Sequence, residues 1–115
     1  MRVTSDLWVS ALLRRVFSDG GFASVIRRGA PEAGAVFVIA RDRFGDVTLF
    51  GPAPQTEYDS GRPDDRRFSE LGTGLTEVAV DARLAKESKF DSDIWVIELE
   101  PAKTPLQELL GIMKP

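Results

Sequence analysis

Three arginine doublets, Arg14-Arg15, Arg27-Arg28 and Arg66-Arg67, are the side chains in this sequence best suited to recognising an anion. A guanidinium fork holds phosphate or carboxylate through two parallel hydrogen bonds. The densest polar cluster, YDSGRPDDRRF, surrounds the third doublet and supplies Tyr58, Asp59, Arg62, Asp64, Asp65, Arg66 and Arg67. Read as function, it is a charged recognition loop for a nucleotide or RNA, or the site of a small enzyme acting on such a ligand, with Arg14 or Arg27 assisting. Read as structure, Asp64 or Asp65 caps a helical turn, the arginines pair with these acids, and Phe68 anchors the loop. Both readings stay open here. On a strand Arg27 and Arg28 would point to opposite faces, so only one of them could serve a given site.

Much other chemistry is excluded. The chain has no histidine and no cysteine, so Ser-His-Asp and Cys-His catalysis, thiolate metal sites and disulfides are impossible. The acids are dispersed, without Asp-x-Asp or EF-hand spacing, and there is no P-loop. Gly72-x-Gly74 matches only two glycines of a dinucleotide-binding fingerprint. No catalytic residue, metal or cofactor is expected. The net charge of −3 argues against general nucleic-acid binding, for which a basic footprint is needed.

The elements that must carry these side chains belong to an α+β fold. A length of 115 residues with 43% hydrophobic and 29% charged residues suits one soluble domain with its own core, 1–115. The opening apolar stretch is broken by Ser10 and ends in two arginines, unlike a signal peptide, and no run is long enough to span a bilayer. A cytoplasmic protein is expected.

Trp8, Val9, Leu12, Leu13 and Val16 share one arc at helical spacing, which predicts an amphipathic helix over Ser5 to Ser18, with Ser5 as N-cap. Three apolar segments follow, 22–29, 34–42 and 46–51, separated by turn residues, and read as a three-stranded antiparallel meander. Ala35 to Ala40 is apolar without alternation, so this strand lies inside the sheet with both faces covered. Residues 52–69 form a long loop. Leu71, Leu75, Val78, Ala82 and Ala85 then predict a helix to about Lys89, with Val80 and Leu84 on a second stripe. Ile94 to Glu100 alternates as a fourth strand. Thr104, Pro105 and Gln107 have the form of a capping box opening a short helix with Leu106, Leu109, Leu110 and Met113 on one side. The expected architecture is thus an antiparallel sheet of about four strands, two main helices mainly on one face, and a C-terminal helical tail over 101–115. Trp8, Leu12, Val16, Val36, Val38, Leu49, Val78, Trp95 and Ile97 are the expected core.

The pentapeptide SDLWV at Ser5 returns as SDIWV at Ser92. Its flanks differ in period: the first runs into SALLRRVF, the second into IELE. The same phrase should therefore begin a helix once and a strand once, with both tryptophans largely buried.

Taken together, SDLWV-SALLRRV, GGF-x-x-V-x-RRG with AGAVFV after it, LFGPAPQ, RPDDRRF and FDSDIWVIELE resemble a bacterial family known as domain of unknown function 1491. The similarity runs from about Val3 to Glu100, with the tail from Pro101 outside it. It implies a small bacterial protein of about this length, and brings no activity, cofactor or catalytic residue. The functional expectation is a noncatalytic binding or accessory module. It would self-associate or bind a protein partner through Val80, Leu84, Leu106, Leu109, Leu110 and Met113, apolar surface that one small sheet need not cover.

Overall fold

A computed structural model describes residues 3–54 and 66–112. The elements run α1 (Ser5–Ser18), β1 (Phe22–Arg27), β2 (Val36–Arg41), β3 (Val47–Pro52), β4 (Arg67–Thr73), α2 (Glu77–Phe90), β5 (Trp95–Glu100), α3 (Leu106–Leu109) and β6 (Gly111–Ile112). The fold is α+β, built on a mixed sheet with strand order β1-β5-β2-β3-β4-β6.

In α1 the residues Val9, Leu12 and Val16 follow helical spacing and are buried. The N-cap is Thr4, whose hydroxyl accepts from the Leu7 amide at 3.2 Å. Ser5 is instead fully buried, and its Oγ donates to the Gly34 carbonyl at 2.6 Å. Helix starts leave amides without internal partners. Here those of Ser5 and Asp6 donate to the Glu32 and Pro31 carbonyls at 3.0 and 2.8 Å. The start of α1 is therefore tied to the β1–β2 connection.

That connection explains the sheet. The expected β1-β2-β3 meander does not form, because β5 lies between β1 and β2, antiparallel to the first and parallel to the second. The antiparallel meander is β2-β3-β4. Chain leaving β1 must cross the start of β5 to reach β2. A Cβ on Gly34 would come within 2.5 Å of the Asp93 carbonyl, and one on Gly29 closer still, so both positions need glycine for this crossing. Ala30 N donates to Asp93 O at 2.9 Å, and Trp95 N to Ala35 O at 2.7 Å.

β2 is an interior strand, as its unbroken apolar run requires. Val36, Val38 and Ala40 join the main core beneath α1 with Trp95, Ile97, Leu99, Phe50 and Phe68. Phe37 points the other way, into a second cluster with Ile94 and Val96 on which Ile39, Leu71 and Leu84 pack. The two helices thus cover opposite faces of the sheet, rather than mainly one face.

Three further expectations are corrected. Leu71 belongs to β4, not to a helix, and α2 starts only after the N-cap Thr76, whose hydroxyl accepts from Ala79 N at 3.1 Å. Counting helical phase from Leu71 inverts the faces of α2: Val80 is 4% exposed and Val78 is 78% exposed. The tail makes only four helical residues, without a side-chain cap, before β6 pairs in parallel with β4. Thr104 does not cap it: the N-cap is Pro105, and both the amide and the hydroxyl of Thr104 hydrogen-bond to Asp19. Of the expected core, Trp8 is half-buried and Val78 lies outside, while the other seven are buried. SDLWV does start a helix, and SDIWV leads through a turn into a strand.

Candidate functional site

Of the charged loop, Tyr58, Asp59, Arg62, Asp64 and Asp65 lie outside the described residues, as do most of the long loop and Met113. Arg66 and Arg67 are described. The Arg66 guanidinium lies 5.8 Å from the Trp8 ring centroid, and its Nη2 donates to the Val3 carbonyl at 2.9 Å. Arg67 opens β4 and pairs with Gly111. Arg15 donates to Glu108 O at 3.2 Å, and Arg27 to Ser92 O at 2.8 Å. Arg28 meets Asp6 at 3.2 Å and lies 4.9 Å from the Trp95 ring centroid. These arginines brace different chain segments rather than converging on one point.

The apolar residues expected at an interface are mostly interior. Val80, Leu109 and Leu110 are buried. Leu106 and Leu84 are half-buried against the two core clusters. The second stripe of α2 is covered by the chain's own sheet, and the C-terminal leucines by the core under α1.

The structure exposes a different surface, along β1. Gly20, at φ +88°, turns the chain out of α1 and Gly21 lies against the Glu100 carbonyl. β1 then alternates. Ala23 is buried and Val25 half-buried in the core under α1, while Phe22 and Ile26 are 49% and 58% exposed. Val25 pairs with Ile97 and Arg27 with Val96, so Ile26 is the extra residue of a β-bulge, exposed and outside the main core. Phe17, exposed at the end of α1, meets the Phe22 ring edge-on with centroids 6.2 Å apart. Among the described residues no strand pairs with the outer side of β1, the sheet's long edge, whereas the opposite edge ends in the two-residue β6. The signal was present in FASVIR, whose alternating sets, Phe22-Ser24-Ile26 and Ala23-Val25-Arg27, each hold two apolar residues.

Beside Phe22 opens a cleft of about 730 Å³ between the α1–β1 turn, the β2–β3 hairpin and residues 100–106. Phe22, Phe44, Arg43, Thr48, Glu100 and Lys103 are among its walls. Asp42 belongs to the hairpin: its Oδ1 accepts from the amides of Phe44 and Asp46, each at 2.9 Å. Asp19 lies outside the cleft's lining and holds Lys103 and Thr104 of its wall, its Oδ2 accepting from Thr104 N at 2.5 Å and Lys103 N at 2.9 Å. The Thr104 amide above all, then the Thr104 hydroxyl and Lys103, hold this carboxyl below the usual aspartate range. Both carboxylates thus organise backbone. Among the described residues no group of three or more metal-ligating side chains exists, and no helix is long and apolar enough to cross a membrane.

The model of a family described as protein of unknown function (DUF1491) matches residues 3–107, reaching past Glu100 into α3. A solution structure of a protein from A. tumefaciens is 43% identical, covering 100% of this chain and 98% of its own, with a TM-score of 0.83. Two structures of DUF1491 family proteins from Caulobacter crescentus CB15 are also similar. An NMR structure has 32% identity, a TM-score of 0.77 and 99% coverage of each chain. A crystal structure has 34% identity, a TM-score of 0.69, and covers 85% of this chain and 87% of its own. No curated protein matches. With the family model matching from residue 3 to residue 107, from before α1 into α3, the chain belongs to the DUF1491 family of proteins of unknown function.

Proposed function

We propose that the protein is a noncatalytic binding module that takes up an extended polypeptide along β1. The observation that carries this reading is an edge strand of six residues with no partner strand on its outer side among the described residues, flanked by exposed Phe17, Phe22 and Ile26. Edge backbone groups offer hydrogen bonds to a further strand, and neighbouring apolar side chains add contact area. The interface moves from α2 and the C-terminal residues, whose apolar side chains are largely spent on the core, to the opposite end of the sheet.

Hydrogen exchange tests the reading. Immobilised full chain and its Ile26→Lys variant are compared for polypeptides retained from an extract or from added copies of the chain itself. The reading predicts retention that Ile26→Lys abolishes and slowed exchange of β1 amides in the complex. Equal retention by both forms, or protection elsewhere than β1, refutes it.

A further inference from the structure

We infer that the polypeptide received by β1 is β1 of a second copy of this chain, paired antiparallel about a twofold axis at Ser24. The inference rests on the edge-binding reading above and adds the occupant and its register.

Directly opposed residues in an antiparallel pair point to the same side of the sheet. Phe22 and Ser24 share the side away from α1, and Ala23 and Val25 the side facing it, while the bulged Ile26 is exposed outside the main core. A twofold centred between two residues would oppose unlike sides, so the axis must pass through a residue. Centred on Ala23, Ile26 would face Gly20, and centred on Val25, Phe22 would face Arg28. Only the axis at Ser24 sets Phe22 against the partner's Ile26, twice by symmetry, so that each copy's exposed aromatic covers the other's exposed β-branched residue. Such cross-strand pairs are among the favourable ones in sheets. Ala23 then opposes the partner's Val25 on the core side.

Charge agrees with this register. Residues 20–29, GGFASVIRRG, contain no carboxylate. The axis at Ser24 brings Arg27 opposite the partner's Gly21 and Arg28 opposite the partner's Gly20. Gly21 has no side chain to block a guanidinium and lies against the backbone carbonyl of Glu100, while Gly20 follows Asp19, whose Oδ2 accepts from the Lys103 and Thr104 amides. Each copy therefore offers two cations to a corner of the other that holds two acids, Asp19 and Glu100, and one base, Lys103. The ion pair of Arg28 with Asp6 does not prevent this, because the arginine side chain is 66% exposed there. The bulge at Ile26 limits regular pairing to about five residues, which places the dimer among small, reversible interfaces.

The absence of cysteine makes the register directly testable. In the full chain Ser24→Cys puts a thiol on the axis, where opposed Cβ atoms lie about 5 Å apart. Ser10→Cys, on the exposed outer side of α1, is the control. Mild oxidation should cross-link Ser24→Cys into a covalent dimer at least about tenfold faster than Ser10→Cys, and adding Ile26→Lys should remove that advantage. Sedimentation of the wild type should show reversible dimerisation between about 10 µM and 1 mM. Ile26→Lys should stay monomeric with an unchanged circular dichroism spectrum and melting temperature. Cross-linking no faster than the control, or a wild type monomeric throughout, overturns the inference. If a monomeric wild type still retains a different polypeptide in a manner dependent on Ile26, the inference falls and the edge-binding reading stands. If neither another copy nor any other polypeptide depends on Ile26, both fall.

Discussion

The indole Nε1 of Trp95 donates to the Ala30 carbonyl at 2.8 Å, joining the first residue of β5 to the chain segment that crosses over it. The same carbonyl accepts from Gly34 N at 3.1 Å, and the Arg28 guanidinium lies over the indole ring. One fully buried side chain thus holds together the crossing that lets β5 enter the sheet between β1 and β2.

Replacing Trp95 tests that arrangement. Trp95→Phe removes the donor and part of the volume but leaves Ala30 O bonded to Gly34, so the loss should be about 2–3 kcal/mol by denaturant unfolding. Trp8→Phe keeps the ring contact with Phe68, now 5.5 Å between centroids, at a half-buried position, and should cost less than about 1.5 kcal/mol. Equal losses would contradict the unequal burial of the two tryptophans.

Within α2, Val80→Ala should lower stability by about 1.5–2.5 kcal/mol, because it empties a buried site. Val78→Ala should change it by less than about 0.5 kcal/mol, since that side chain is in solvent. The reverse order would restore the face assignment counted from Leu71.

Ending the chain at Glu100 removes Leu109 and Leu110 from the main core and β6 from the sheet. The truncated chain should lose several kcal/mol of stability, with a lowered melting temperature and increased binding of a hydrophobic dye. An unaltered melting temperature would show that residues 101–115 are a dispensable tail.

The clasp of Asp19 on Lys103 and Thr104 predicts a pH dependence. Its carboxyl titrates below the ordinary aspartate range, so the folded state favours the ionised form. This contribution is fully present above the unfolded value and is lost as pH falls through the lowered folded value. The wild type should melt above Asp19→Ala near neutral pH, and the difference should shrink below about pH 4. A gap that stays constant to about pH 2 would remove Asp19 as its cause.

Several elements were legible because their signals are local. Asp6 and the spacing of Val9, Leu12 and Val16 mark α1 within a few residues, although its cap is Thr4 and not Ser5, which is buried against Gly34 O. The unbroken apolar run of β2 marks an interior strand. The flanks of SDLWV and SDIWV separate a helix from a strand, because side-chain period reports which backbone buries a consistent face. The candidate site was less legible. FASVIR displays its two apolar sets openly, but whether Phe22 and Ile26 meet a helix or solvent depends on where α2 comes to lie.

Residue pattern alone establishes the α+β class, the approximate ends of α1, β1, β2, β3 and β5, the inward residues of α1, β2 and β5, and the exclusion of histidine and cysteine chemistry. Long-range packing settles that β5 separates β1 from β2, that Val80 rather than Val78 is buried, that α3 gives way to a strand at Gly111–Ile112, and that β1 is left at the edge. The physical reason is common to all four. Backbone hydrogen-bonding groups are the same in every strand, so pairing order is chosen by long-range packing. Glycines 29 and 34 must let a chain pass over Asp93, two sheet faces must each be covered, and residues more than 60 positions apart must meet.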